Sequence, residues 1–345
     1  MGTIAAAEIR IGITIDELVD RYELSNHADG KSPKTIKWYS EILWSFSAYI
    51  KERRGYSDIS NFNMDLAREY IVYLRNKHKF QGHPYIPEQG HLLSPKTVQC
   101  HVRALKAFSS WLYNEGCTDG NRLGHLKLPK APSKIMEPLT SEEIEMVSAA
   151  IDKSSPAGMR NYAVVVTLLD TGLRASEIAG VTLGQLNLDA GYIKVMGKGS
   201  KERIVPIGKY VQKTLWVYIE KGRPKPAFSD CDNLFLSPGG RPITGNTIKL
   251  VFSRLAKRSG VERLHAHLCR HTFAINYLLN GGDIFSLQQI LGHTSLDMVR
   301  LYLHFTSSQI TVLQHKYSPM DKLHRVKMRS HSPDHSNKDT LNLSQ

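Results

Sequence analysis

His265-Ala266-His267-Leu268-Cys269-Arg270-His271, continued by Leu291-Gly292-His293 and closed by Tyr302, is the stretch that decides what this chain can be. His267 and His271 stand four apart, a spacing that puts two imidazoles on one helix face and that zinc enzymes use for two ligands. The zinc motif needs glutamate directly after the first histidine, and Leu268 occupies that place. Arg270, between the two would-be ligands, would repel a cation. The same residues suit an anion, because a guanidinium presents a rigid fork of donors matched to phosphate. Tyr302 alone, in Arg300-Leu301-Tyr302-Leu303-His304, reads as a packed helical tyrosine.

Upstream lie two further segments. In Thr171-Gly172-Leu173-Arg174-Ala175-Ser176-Glu177-Ile178, Gly172 is suited to end one helix and Arg174 to open the next turn. With Glu177 three residues on, Arg174 is either a structural ion pair or a guanidinium facing a ligand. Gly197-Lys198-Gly199-Ser200-Lys201 separates two strand-like runs, Tyr192 to Met196 and Glu202 to Ile207. A nucleotide-binding loop needs Gly-Lys-Ser/Thr leading into a helix. Here Gly199 follows Lys198 and a strand follows the turn, so nucleotide binding is excluded. A lysine at a hairpin tip can instead reach into a groove, or it can be an ordinary exposed turn.

Taken in order, Thr-Gly-Leu-Arg174-x-Ser-Glu-Ile, the Gly-Lys198-Gly hairpin, His267-x-x-Arg270-His, Leu-Gly-His293 and Tyr302 nine residues later resemble the tyrosine recombinase, or phage integrase, family. The resemblance spans roughly Glu137 to Tyr317, and the helical N-terminal part is similar to that family's core-binding domain. It implies that Arg174 and Arg270 clamp a scissile phosphate and that Tyr302 is the nucleophile. Lys198 would protonate the leaving 5′-oxygen, His267 would assist removal of the tyrosine proton, and His293 would hydrogen-bond the phosphate. Tyr302 would form a 3′-phosphotyrosyl bond, with four protomers exchanging strands on two double-stranded DNA sites through a Holliday junction. A segment near Thr306 to Lys316 would dock on a neighbouring protomer. Accessory DNA-bending proteins are further partners in such systems. No cofactor, metal or ATP is implied, since two arginines can supply the charge that a divalent ion gives many nucleases. Cys269 stands where the family usually has leucine and should act as a small core hydrophobe. The alternatives are a type IB topoisomerase-like strand transferase, which uses a similar pocket, and a non-catalytic DNA-binding regulator.

Composition agrees with a polyanionic partner. Lys and Arg number 45 against 32 Asp and Glu, a formal charge of +13 over 345 residues. Basic side chains neutralise phosphates and release condensed counterions. The four cysteines are scattered and form no Cys-x-x-Cys pair, which argues for reduced thiols. The start lacks a charged segment followed by a long apolar core, and no run of about 18 apolar residues occurs. A protein of the prokaryotic cytoplasm, away from any membrane, is therefore expected.

The first part reads as a helical bundle. Thr14 and Glu17 form a capping box. Ser32-Pro33-Lys34-Thr35 and Ser94-Pro95-Lys96-Thr97 repeat one helix-start tetrapeptide, and a third helix covers Met64 to Arg75. Lys34, Lys37, Lys96 and Arg103 near these helix starts, with Lys201 in the hairpin, are candidate DNA contacts; any one alone could be a solvated helix end. A helix is expected over Asn161 to Asp170, and helices from Lys209 to about Tyr317. The expected architecture is mainly α: a core-binding bundle over 1–118, a semi-rigid basic linker over 119–137, a mixed α+β catalytic domain with a small antiparallel sheet over 138–318, and a flexible polar tail over 319–345. A chain starting almost directly with the bundle leaves no room for a separate arm-binding domain. Integration, excision, transposition and dimer resolution all stay open.

Overall fold

The computed structural model describes residues 12–55, 58–82, 85–132, 136–197 and 202–292. By packing, the chain divides into Met1–Lys134 and Ile135–Gln345.

Local chemistry sets the helix starts of the first unit. Helix α1 (Ile15–Ala28) opens on the Thr14–Glu17 capping box, each side chain bonded to the other's backbone N–H. Helices α2 (Pro33–Arg54) and α4 (Pro95–Asn114) open identically. Ser32 and Ser94 accept from the Thr35 and Thr97 amides at 3.2 and 3.1 Å, and Pro takes the first turn, where no donor is needed. Between them runs α3 (Met64–Asn76), capped by Asn63. Phe46, Phe62, Tyr70 and Phe108 meet edge-on at the centre, so aromatic packing closes this bundle. Residues after α4 join the same core. Leu123 and Leu126 are buried there, and Lys106 Nζ donates to the Gly124 and Leu126 carbonyls at 2.7 Å each. The segment read as the start of a linker thus packs on α4 as far as residue 126.

A short hairpin, β1 (His78–Lys79) with β2 (Gln89–Leu92), follows α3. Its strands have no buried residue; the antiparallel ladder is joined by a His78–Glu88 contact at 2.8 Å.

The second unit begins with α5 (Ser141–Ala149) on the Thr140–Glu143 capping box, then α6 (Pro156–Thr171) and α7 (Ala175–Gly180). A three-stranded antiparallel sheet follows, ordered β3 (Leu186–Asn187), β4 (Tyr192–Met196), β5 (Glu202–Pro206). Its register pairs Val195 with Arg203 and Met196 with Glu202. Helices α8 (Lys209–Val217), α9 (Gly245–Ser259), α10 (Ala266–Leu279) and α11 (Ile284–Leu291) complete the described part. Helix does not run on from Lys209 without a break. After a π-helical turn (Tyr218–Gly222), residues 223–244 contain Pro224, Pro226, Pro238 and Pro242 and form only isolated bridges. Cys269 is fully buried in the main core of this unit, where burial pushes its thiol up to about 12. The fold is mainly α with small antiparallel sheets, as expected. Among the described residues, no helix is long and apolar enough to cross a membrane.

Candidate active site

Three of the six candidate catalytic residues, Arg174, His267 and Arg270, lie within the described residues, and the fold brings them together. Helix α6 ends at Gly172, whose φ of 61° is left-handed and allows the chain to turn sharply. Two residues later Arg174 is the N-cap of α7. Its backbone N–H donates to Glu177 Oε2 at 2.9 Å and its Nη1 to Oε1 at 2.7 Å. The ion pair and the ligand-facing guanidinium are therefore one arrangement: Glu177 is nearly buried (7% exposed), while the Arg174 side chain stays 40% exposed.

Arg270 comes from the second turn of α10 and is 1% exposed. Its Nη1 donates to the Gly172 carbonyl at 2.6 Å and its Nη2 to the Leu291 carbonyl at 2.8 Å. Arg270 thus ties the end of α6 to the end of α11. His267 lies one turn before it, at the surface. Desolvation against the helix lowers the pKa of its ring, and the Arg270 guanidinium, His265, His271 and the Arg174 guanidinium lower it further. The shift favours the uncharged imidazole, the form able to accept a proton.

The other histidines of the motif are structural. His265 caps α10 through Nδ1, which accepts from the Leu268 amide at 2.9 Å. His271 Nε2 donates to the Met136 carbonyl. Among the described residues, no three His, Cys, Asp or Glu side chains gather as metal ligands.

Sequence reasoning missed Arg203 on β5. Its guanidinium grips the far side of Glu177, Nη1 to Oε1 at 3.1 Å and Nη2 to Oε2 at 2.9 Å, while its Nε donates to the Ile290 carbonyl at 2.9 Å. A signal was available. Strand alternation puts Arg203 on the same face as buried Val205, with Ile204 turned out to solvent, and a charge on the core side of a strand needs a partner.

In the first unit, Lys34, Lys37, Lys96 and Arg103 are all exposed, the three lysines near the starts of α2 and α4 and Arg103 in the third turn of α4; Lys37 is 3.8 Å from Glu41. Lys198, Lys201, His293 and Tyr302 lie outside the described residues.

The family model for the phage integrase family matches residues 137–309, half of the chain. The chain belongs to the phage integrase family. Among curated relatives of this recombinase, tyrosine recombinase XerC of Bacillus subtilis is 32% identical over 279 residues, covering 77% of this chain and 92% of that protein. Tyrosine recombinase XerD of Listeria innocua serovar 6a is 29% identical over 294 residues, covering 84% of this chain and 94% of that protein. The Tn1549 transposon integrase, solved in complex with transposon right end DNA, shares the fold at a TM-score of 0.67 and 22% identity, over 93% of this chain and 100% of that one. The family assigns this recombinase its class, a tyrosine-type site-specific DNA recombinase.

Proposed function

We propose that this recombinase cleaves and rejoins duplex DNA through a covalent bond to Tyr302. The tyrosine oxygen attacks the scissile phosphorus, the bond from phosphorus to the 5′-oxygen breaks, and a 3′-phosphotyrosyl link forms. The tyrosine proton passes to His267, and Lys198 gives a proton to the departing 5′-oxygen. Arg174 and Arg270 hold the phosphate, with His293 as a further donor. The energy of the phosphodiester is kept in the phosphotyrosyl bond, so resealing needs no nucleotide. Four protomers on two sites would pass through a Holliday junction, with accessory DNA-bending proteins where geometry demands them, in the bacterial cytoplasm. Residues 1–118, with Lys34, Lys37, Lys96 and Arg103, would grip the core site, and 138–318, with Lys201, would carry the chemistry, joined by 119–137.

The observation that carries this proposal is the convergence of Arg174, His267 and Arg270 at the α6–α7 junction. Charge on the equatorial oxygens of a phosphoryl group is what such a cluster stabilises. A phenol has an ordinary pKa of about 10 and needs a cationic setting and a base to react near neutrality. Burial first, and then its cationic neighbours, lower the pKa of His267 and so favour the neutral imidazole that can serve as such a base.

The test is a pool of nicked duplexes with randomised cores, scored for protein–DNA adducts on a denaturing gel. The native chain should form an adduct and Tyr302→Phe none. An adduct from Tyr302→Phe would refute the nucleophile. Tight binding with no adduct on any duplex would instead establish a DNA-binding regulator.

A further inference from the structure

We propose that Arg203 is a positioning residue for strand transfer: it fixes Arg174 through Glu177 and ties that pair to the end of α11. The proposal rests on the assignment of the site given above.

Three contacts made by a single planar group carry it. Two parallel hydrogen bonds to Glu177 fix both carboxylate oxygens, and those oxygens in turn hold the backbone and the Nη1 of Arg174. The third donor, Nε, holds Ile290, next to the last residue of α11. The guanidinium also lies flat against the residue that follows. Gly292 has a φ of 63°, and a Cβ there would stand 3.1 Å from Cζ, Nε and Nη1 of Arg203. His293 is the next residue in the sequence. One side chain therefore joins two motif segments that are far apart in sequence, the one that carries Arg174 and the end of α11.

A stabilising role alone explains this poorly. A buried ion pair is often no better for stability than well-packed apolar residues, because desolvating the charges offsets their attraction. Arg203 is 13% exposed and Glu177 7%, so desolvation is nearly complete. What the pair provides is orientation. Arg174 has a long, half-exposed side chain with several free torsions, and Glu177 can immobilise it only if Glu177 is itself fixed. Lysine cannot substitute, since its donors radiate from one point and cannot span a carboxylate and a carbonyl in one plane.

The full chain is compared with Arg203→Lys and Arg203→Met, using single-turnover adduct formation on a nicked duplex cleaved by the native protein. DNA affinity and circular dichroism are measured alongside. Adduct formation should slow about 10- to 100-fold in Arg203→Lys, the range expected when a reacting group is misplaced by roughly an ångström. DNA affinity should change little. In Arg203→Met, burial would no longer be opposed by the second guanidinium, so Glu177 would take up a proton at higher pH than in the native protein. The rate should then fall as pH is lowered across a range where the native rate is flat, and adding Glu177→Gln should remove that pH dependence. A native rate in folded Arg203→Lys would overturn the proposal. So would a loss in Arg203→Met that is equal at every pH and follows the folded fraction. Arg174→Ala separates the two levels: a native rate there overturns the site assignment itself, whereas loss there with Arg203→Lys unaffected overturns only the role of Arg203.

Discussion

Gly172 and Gly260 both end helices in the left-handed region, at φ values of 61° and 75°, yet alanine should be far worse at the first. Either substitution meets the left-handed strain of about 1–2 kcal/mol. At Gly260 that is nearly all, because the nearest atom to a new Cβ is the flexible end of Met146 at 3.8 Å. At Gly172 the Cβ would stand 2.6 Å from Phe273 Cδ1 and 2.7 Å from Leu291 Cδ2. Both the ring and the leucine side chain would have to yield, and overpacking of that kind costs about 1–3 kcal/mol more. For a unit of this size each kcal/mol moves the melting temperature by roughly 2–4 °C. Gly172→Ala should therefore melt about 2–12 °C below Gly260→Ala in calorimetry of the full chain. The carbonyls of Gly172 and Leu291 are also the two seats of Arg270, so both anchors of that guanidinium would shift together. Single-turnover cleavage, measured at a temperature where both variants are folded, should fall by about 100-fold in Gly172→Ala alone. Equal melting temperatures and equal cleavage rates in the two variants would refute the reasoning.

Two further outcomes concern the first unit. Burial and then Lys77 push His101 down to about 4, while Tyr70 Oη bonds its Nδ1 at 3.1 Å. In the unfolded chain this group titrates near its ordinary pKa of about 6.5, so the neutral buried ring favours folding fully above that pH. That contribution should be lost as pH falls from about 6.5 toward 4, at up to roughly 3 kcal/mol, and urea unfolding of His101→Gln should show a flatter pH dependence across that window; an unchanged slope would exclude His101 as the cause. Converting Lys34, Lys37, Lys96 and Arg103 together to alanine should reduce the slope of log affinity against log salt by about 0.9 for each phosphate no longer neutralised, hence by roughly 3–4. Titration of a fluorescent duplex at several salt concentrations reads this slope, and an unaltered value would show that these side chains do not meet the backbone of DNA.

What could be read from the sequence was mainly local. The Thr14–Glu17 and Thr140–Glu143 boxes and the two Ser-Pro-Lys-Thr starts form hydrogen bonds over three residues, so the sequence alone carries their geometry. The strands at Tyr192 and Glu202 were legible because one face is buried, which imposes alternation. The hairpin at His78–Leu92 was not legible: with both faces exposed, nothing selects an apolar period. Helix was expected over residues 223–244 although their prolines argue against it. At the candidate site, motif order singled out Arg174, His267 and Arg270, which the fold brings together, but the anchors were hidden. Gly172 and Leu291 hold Arg270 by backbone carbonyls, which carry no side-chain signature, and Arg203 finds Glu177 and Ile290 only through the fold.

Those anchors also explain how the site keeps its charge. Gly172 caps the end of α6, and Leu291 and Ile290 are the last residues of α11; helix C-terminal carbonyls lack intrahelical partners and carry the negative end of the dipole. Arg270 and Arg203 supply the missing donors, so two guanidiniums cap α11 and one of them also caps α6. The Gly172 and Leu291 carbonyls give the buried Arg270 guanidinium two neutral acceptors. At Glu177 a single carboxylate is shared between Arg174 and Arg203. Three guanidiniums set against one carboxylate leave these named groups with a net positive charge, and Arg270 and Arg174 add to burial in lowering the pKa of His267. A phosphate would find there both the compensation it needs and a base that has not been spent on a proton. Because the donors are seated on helix ends, their positions are as rigid as the helices, which is what a reaction governed by positioning and electrostatics requires.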